Sequence, residues 1–141
     1  MGAALTGHLV LSTLHTNNAI SAIDRMMDMG LERYLISGAI IAIMAQRLAR
    51  KLCLYCKEMV ENGRYKAHGC PHCVGTGYSG RVVISEVLEI SANLASLMAR
   101  GESSGIILAE AKREGFIPME VSAMELVDSG VTSLEEILSL I

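Results

Sequence analysis

The chain has 141 residues, 51% hydrophobic and 19% charged, with a net charge of −3 and a pI near 5.8. That length supports one domain with a real core, or one and a fraction. The acidic balance argues against a nucleic-acid binder held by phosphate contacts, although Arg47, Arg50 and Lys51 form a local basic patch. Nine Met, four Tyr, one Phe and no Trp make the core aliphatic and soft. The longest apolar run, Leu35 to Ala45, is broken by Ser37 and Gly38 and is too short to span a bilayer. The expectation is a soluble protein in a reducing compartment.

In chain order, Leu5 to Leu14 runs apolar and reads as a strand buried on both faces, with His8 near its start and His15 just past its end. Asn17 or Asn18 is the N-cap of a helix through Met29, with Ile20, Ile23 and Met27 on one face and Gly30 as its stop. Glu32 to Leu52 is a fork: Ala, Met, Leu, Gln and Arg favour helix, whereas Ile40, Ile41 and Ile43 favour strand. Arg81 to Leu88 reads as a strand on its β-branched content. If Ile41 to Leu52 is a strand too, the pair forms a hairpin with the intervening residues inserted at its tip.

Those inserted residues carry the clearest chemistry. Cys53-Leu-Tyr-Cys56 and Cys70-Pro-His-Cys73 are two cysteine hooks separated by thirteen residues. Two hooks supply the four thiolates of a closed tetrahedral zinc site, so the expected ligands are Cys53, Cys56, Cys70 and Cys73. With no open coordination position, such a metal holds shape and hydrolyses nothing. Two disulfides are the alternative and would suit a small secreted domain, but no stretch reads as a signal peptide and no cysteine lies outside the hooks. His68 and His72 stand in the same window as substitutes for a sulfur. Gly75, Gly77 and Gly80 follow where the chain turns back.

The last third is helical by its punctuation. Ser91 caps a helix closed by Gly101, Ser103 or Ser104 opens one closed by Gly115, and Met119 to Ser129 ends at Gly130. Ser133-Leu-Glu-Glu136 is a capping box opening a final helix to Leu140. Four short helices cannot bury themselves singly, and one small bundle beside the sheet is expected.

Several of these features occur together in one known family. Leu5-Thr-Gly-His8 through Ser12-Thr-Leu-His15-Thr-Asn17, then Met29-Gly30, Ala45-Gln-Arg-Leu48, the four cysteines, Thr76-Gly-Tyr78 with Gly80-Arg81 and Glu86, and Gly130-Val-Thr132 follow one another in order. The chain thereby resembles the motor ATPases of type II secretion and type IV pilus assembly (GspE/PilB type), nearly end to end. The resemblance implies an α/β fold: the C-terminal part of a RecA-like P-loop ATPase domain, with a zinc module at a β-hairpin tip and a C-terminal helical bundle. It favours strand after about Ile41. The implied divisions are 1–52 for part of the ATPase core, 53–80 for the zinc module, 81–90 for the returning strand and 91–141 for the helical subdomain.

By the same resemblance, His8 and His15 form a histidine box that approaches the γ-phosphate and couples hydrolysis to domain movement, and Arg47 and Arg50 have an intersubunit or nucleotide-side role, with solvated strand-edge cations as the plainer alternative for both. The intact protein would bind ATP and Mg2+, assemble as a hexamer, and act from the cytoplasm, docked at the inner membrane on platform proteins of the secretion or pilus machine. No nucleic acid and no direct membrane span are implied. No G-x-x-x-x-G-K-[ST] loop occurs in these residues, and the family's catalytic acids lie upstream of its histidine box, so the chain is expected to be a C-terminal portion of such a motor, inactive alone. The competing function is a free-standing zinc adaptor that binds a protein partner without nucleotide chemistry. A zinc ribbon binding nucleic acid is disfavoured by the net charge and the single Phe.

Overall fold

A computed structural model of the chain describes residues 2–60 and 62–141. Its elements are α1 (Gly2–Leu5), α2 (Ala19–Asp28), α3 (Arg33–Ala39), β1 (Ala42–Leu52), β2 (Glu58–Met59), β3 (Tyr65–Lys66), β4 (Tyr78–Glu89), α4 (Ala92–Arg100), α5 (Ser104–Arg113), α6 (Met119–Asp128) and α7 (Leu134–Leu140). The fold is mixed α/β. β1 pairs with β4 and β2 with β3, each as a two-stranded sheet. Ile90 N–H donates to Ile41 O and Cys53 N–H to Gly77 O, both at 2.9 Å, so β1 and β4 run antiparallel as a long hairpin with the cysteines between its arms. The fork after Glu32 therefore resolves as both: a short helix to Ala39, then strand from Ala42.

The chain divides into two compact units, Met1–Ala45 with Glu86–Ile117, and Gln46–Ser85 with Pro118–Ile141. In the first, Ala19, Ile20, Ile23 and Met26 of α2 pack with Ile36, Leu88, Leu94, Met98, Ile107 and Ala111. Met27, expected on this face, is only partly buried, whereas Met26 is buried. α2 starts where its cap dictates: Asn18 Oδ1 accepts from Ser21 N–H at 2.8 Å, and Ser21 Oγ lies 3.3 Å from the Asn18 N–H it accepts from. Glu86, only 4% exposed, accepts from Ala19 N–H at 2.5 Å, placing a buried carboxylate at the positive end of the same helix.

Two expectations fail here. Leu5–Leu14 does not form a strand: α1 ends at Leu5, and residues 6–18 are irregular, with Leu9 77% and Leu11 88% exposed. A doubly buried strand needs a strand on each side to take its N–H and C=O groups, and among the described residues no strand borders this segment. Nor do the four C-terminal helices gather into one bundle. α4 and α5 belong to the first unit, where Leu94, Met98, Ile107 and Ala111 join its apolar cluster, and α6 and α7 belong to the second.

Candidate metal centre

In the second unit each hook is built by its own turn. Lys57 N–H donates to Cys53 O at 3.0 Å around the first, and Gly75 N–H donates to Cys70 O at 2.9 Å around the second. Pro71–Cys73 is a 3-10 turn whose first position suits proline's fixed φ. Val74 follows at φ +54 with its side chain 87% exposed, an uncommon conformation for a β-branched residue. At Gly77, φ is +76 and an added Cβ would meet the Ala67 Cβ at 2.6 Å. Only glycine lets the chain pass that close while Gly77 O accepts from Cys53 N–H and joins the bases of the hooks.

The four sulfurs lie within 4.8 Å of one another. Cys53 and Cys70 Sγ are 3.9 Å apart, Cys56 and Cys73 3.7 Å, and Cys70 and Cys73 3.8 Å. Four sulfurs at the ~2.3 Å zinc–sulfur distance on a tetrahedron are separated by about 3.8 Å, so these three separations are of the size expected around one metal ion, which the cluster could hold. Disulfide sulfurs stand about 2.05 Å apart, and all four cysteines are free. Cys53 and Cys73 are buried, Cys56 and Cys70 half-buried.

The surroundings favour the thiolate at Cys73 and oppose it at Cys56. Burial pushes the Cys73 thiol up, but N–H groups of Cys70 and Gly77, each 3.2 Å from its sulfur, outweigh that and bring it down to about 6. Burial pushes the Cys56 thiol up to about 12, and the neighbouring sulfurs add to it. Thiolates this close repel one another, and a divalent cation would supply the charge that holds them together.

Neither nearby histidine is part of the cluster. His68 Nδ1 lies 3.0 Å from Glu58 Oε1, and the His72 ring stacks on Tyr55 with centroids 4.2 Å apart. His8 and His15 belong to the first unit, both exposed in the irregular segment, with His8 Nδ1 3.2 Å from Thr6 Oγ1. Arg47 lies half-buried on β1.

Sequence reasoning missed the polar lock that joins this module to α6 and α7. Glu136, 5% exposed, accepts from Arg50 backbone N–H at 2.9 Å, from its Nε at 2.9 Å and from its Nη2 at 2.5 Å. Arg50 in turn lies over the Tyr78 ring at 4.1 Å, and Tyr78 Oη is 2.7 Å from Ser133 Oγ. Only half of the expected capping box forms: Ser133 Oγ accepts from Glu136 N–H at 3.2 Å, while the Glu136 carboxylate turns to Arg50 and not back to the cap. The Arg50 guanidinium beside it holds the Glu136 carboxyl below the usual range against the opposing effect of burial. The pattern Ser-x-x-Glu gave the cap, but no local signal distinguishes a glutamate that turns back from one claimed by a residue 86 positions away.

The model of the family described as type II/IV secretion system protein matches residues 1–139. The chain belongs to that family. Among the family's characterised members, HxcR, a type II secretion system protein of Pseudomonas aeruginosa, is 43% identical over 136 residues, covering 96% of this chain and 29% of that protein. The type IV pilus assembly ATPase TfpB of Acinetobacter baylyi is 37% identical over 157 residues, covering 99% of this chain and 27% of its own length. The type II secretion system ATPase E of Vibrio cholerae is 38% identical over 152 residues, 96% of this chain and 30% of that protein. The chain thus spans less than a third of the length of these family members.

Proposed function

We propose that this chain is the C-terminal portion of a motor of the secretion family, carrying the histidine box and a structural zinc module, and that the intact protein turns ATP hydrolysis into work on a secretion or pilus assembly machine. The observation that carries the metal half of this reading is the sulfur cage, in which three of the separations are 3.7–3.9 Å and all four sulfurs lie within 4.8 Å of one another, as around one tetrahedral zinc ion. Cys53, Cys56, Cys70 and Cys73 would hold it, and it would supply the charge that keeps four thiolates together. The motor half is supported by the family match over residues 1–139 and by relatives described as pilus and secretion ATPases.

In this reading the divisions are a core segment at 1–52, a zinc module at 53–80, a returning strand at 81–90 and a helical part at 91–141. His8 and His15 stand on a segment whose Leu9 and Leu11 are exposed, and in the RecA-like core of the intact motor they would face the nucleotide. An imidazole there can donate to a phosphate oxygen or orient a neighbour near neutral pH. Arg47 would act at the nucleotide or at a subunit boundary of the hexamer. The motor would work from the cytoplasm on inner-membrane platform proteins. No helix among the described residues is long and apolar enough to cross a membrane.

Phosphoryl transfer is catalysed mainly by positioning and charge neutralisation, and this stretch contains no phosphate-binding loop. The chain alone is therefore expected to show no ATP turnover above buffer and one zinc per chain by elemental analysis of freshly purified, reduced protein. Turnover that survives repurification would overturn the assignment of catalysis to the rest of the motor. Zinc-free protein would overturn the metal site.

A further inference from the structure

Within the second unit, the turn between α6 and α7 is gripped from two directions. The hairpin arms hold one side: Leu52 N–H donates to Val131 O at 2.9 Å, Thr132 Oγ1 donates to Arg50 O at 2.8 Å, and Glu136 receives Arg50. These contacts come from β1, whose position its pairing with β4 already sets.

Among the described residues, the other side is held by residues lying between the cysteines. Lys57 Nζ donates to Gly130 O at 2.9 Å and lies 4.4 Å from the Tyr65 ring centroid. Tyr65 packs so tightly on Gly130 that an added Cβ would meet its Cδ2 at 2.6 Å. Arg64 Nε donates to Asp128 Oδ1 at 2.9 Å. Lys57 follows Cys56 directly, Tyr65 sits on a ribbon of only two residues per strand, Glu58 opposite Lys66 and Met59 opposite Tyr65, and Arg64 immediately precedes it. A ribbon that short does not hold itself in water. What can hold it is closure of the loop at its ends, by the four sulfurs on one ion.

We infer that metal occupancy of the cysteine cage governs the docking of the α6–α7 turn, with Lys57, Tyr65 and Arg64 as positioning residues that transmit the metal's hold to Asp128 and Gly130. The site is then more than a local staple: it sets whether the C-terminal helix pair is clamped on both sides or on the hairpin side alone. This rests on the metal reading above. The consequence is graded. On metal loss the Asp128–Gly130 side opens, while the Arg50–Glu136 side stays closed.

Hydrogen exchange reads this directly, because Ser129, Gly130 and Val131 N–H groups donate to Glu125, Val127 and Leu126 carbonyls at 2.9 Å each. The zinc-loaded chain and the chain stripped by chelator under reducing conditions are compared by mass-resolved exchange, with zinc content measured on both. Exchange over residues 129–131 is expected to be at least 10-fold faster in the stripped protein, with α2 in the first unit unchanged. A second arm, Lys57→Met in zinc-loaded protein, keeps the side-chain stem and removes the donor. It should speed the same amides while leaving zinc content at one per chain, and it decides the matter if stripping loosens the whole unit. Zinc-loaded and stripped proteins with equal exchange at 129–131, or Lys57→Met with wild-type exchange there, overturn the inference. Protein that never takes up zinc overturns the metal reading with it, a result told apart by the zinc measurement itself.

Discussion

Replacing Glu136 with glutamine tests the lock between α7 and the hairpin with almost no change in shape. The carboxylate takes three hydrogen bonds from one residue, at 2.9, 2.9 and 2.5 Å, and is 5% exposed. A glutamine oxygen can serve the backbone N–H or the guanidinium, but its NH2 must then face a donor. Bonds to a charged partner contribute roughly 1.5–3 kcal/mol each, and an unsatisfied buried donor costs about 1–3 kcal/mol. Because the Arg50 side chain is 54% exposed, solvent screening discounts its share. Glu136→Gln should therefore cost about 2–3 kcal/mol at neutral pH, a shift on the order of 1 M in the urea midpoint of the second unit.

The pH dependence has a definite sign. The folded carboxyl is held below its ordinary value by Arg50, so its stabilisation is fully present above the unfolded pKa of ~4.3 and disappears as pH falls through the lower folded value. The gap between wild type and Glu136→Gln should be wide at pH 7 and narrow steadily in the acid range below pH ~4. A cycle with Arg50→Met isolates the side-chain pair, since the Arg50 backbone N–H survives that change. A cost below about 0.5 kcal/mol at pH 7, the scale of an exposed ion pair, would refute the argument, as would a gap that does not shrink in acid.

Other expectations follow from single contacts. Cys73→Ser removes the sulfur that receives the Cys70 and Gly77 N–H groups, and zinc per chain measured by elemental analysis should fall well below one, with residues 50–80 loosened more than the rest in hydrogen exchange. Gly130→Ala places a Cβ at φ +68 and against Tyr65, and thermal unfolding should register a loss of at least ~1–2 kcal/mol, partly relieved by adding Tyr65→Ala. Asn18→Ala removes the oxygen that caps α2 at 2.8 Å and should cost about 1 kcal/mol, seen in the first unit and not in zinc content.

Much of the site was legible because its chemistry is local. Cysteine hooks, a stiffening proline and glycines that turn back are short-range features, and their spacing already implied four donors around one centre. Helix starts at Asn18, Ser91 and Ser133 were legible for the same reason, since a cap involves only three or four neighbouring residues. The hairpin around the cysteines followed once the segment after Ile41 was taken as strand.

What remained hidden depends on partners distant in sequence. The apolar run Leu9–Leu14 reads as a buried strand because composition records what a segment needs, not what lies beside it; with no bordering strand among the described residues it stays irregular and exposed. Glu86 at the start of α2 and Glu136 on Arg50 are buried carboxylates whose roles arise from residues 67 and 86 positions away. Tertiary structure decided those two, along with the division of four similar helices between two units. The sequence alone picked out the four cysteines that the structure gathers into one cluster able to hold a metal ion, because such a cluster needs only side chains of the right kind at the right spacing. Where a charge is buried, and which partner keeps it charged, is set only when remote segments meet and water is excluded between them.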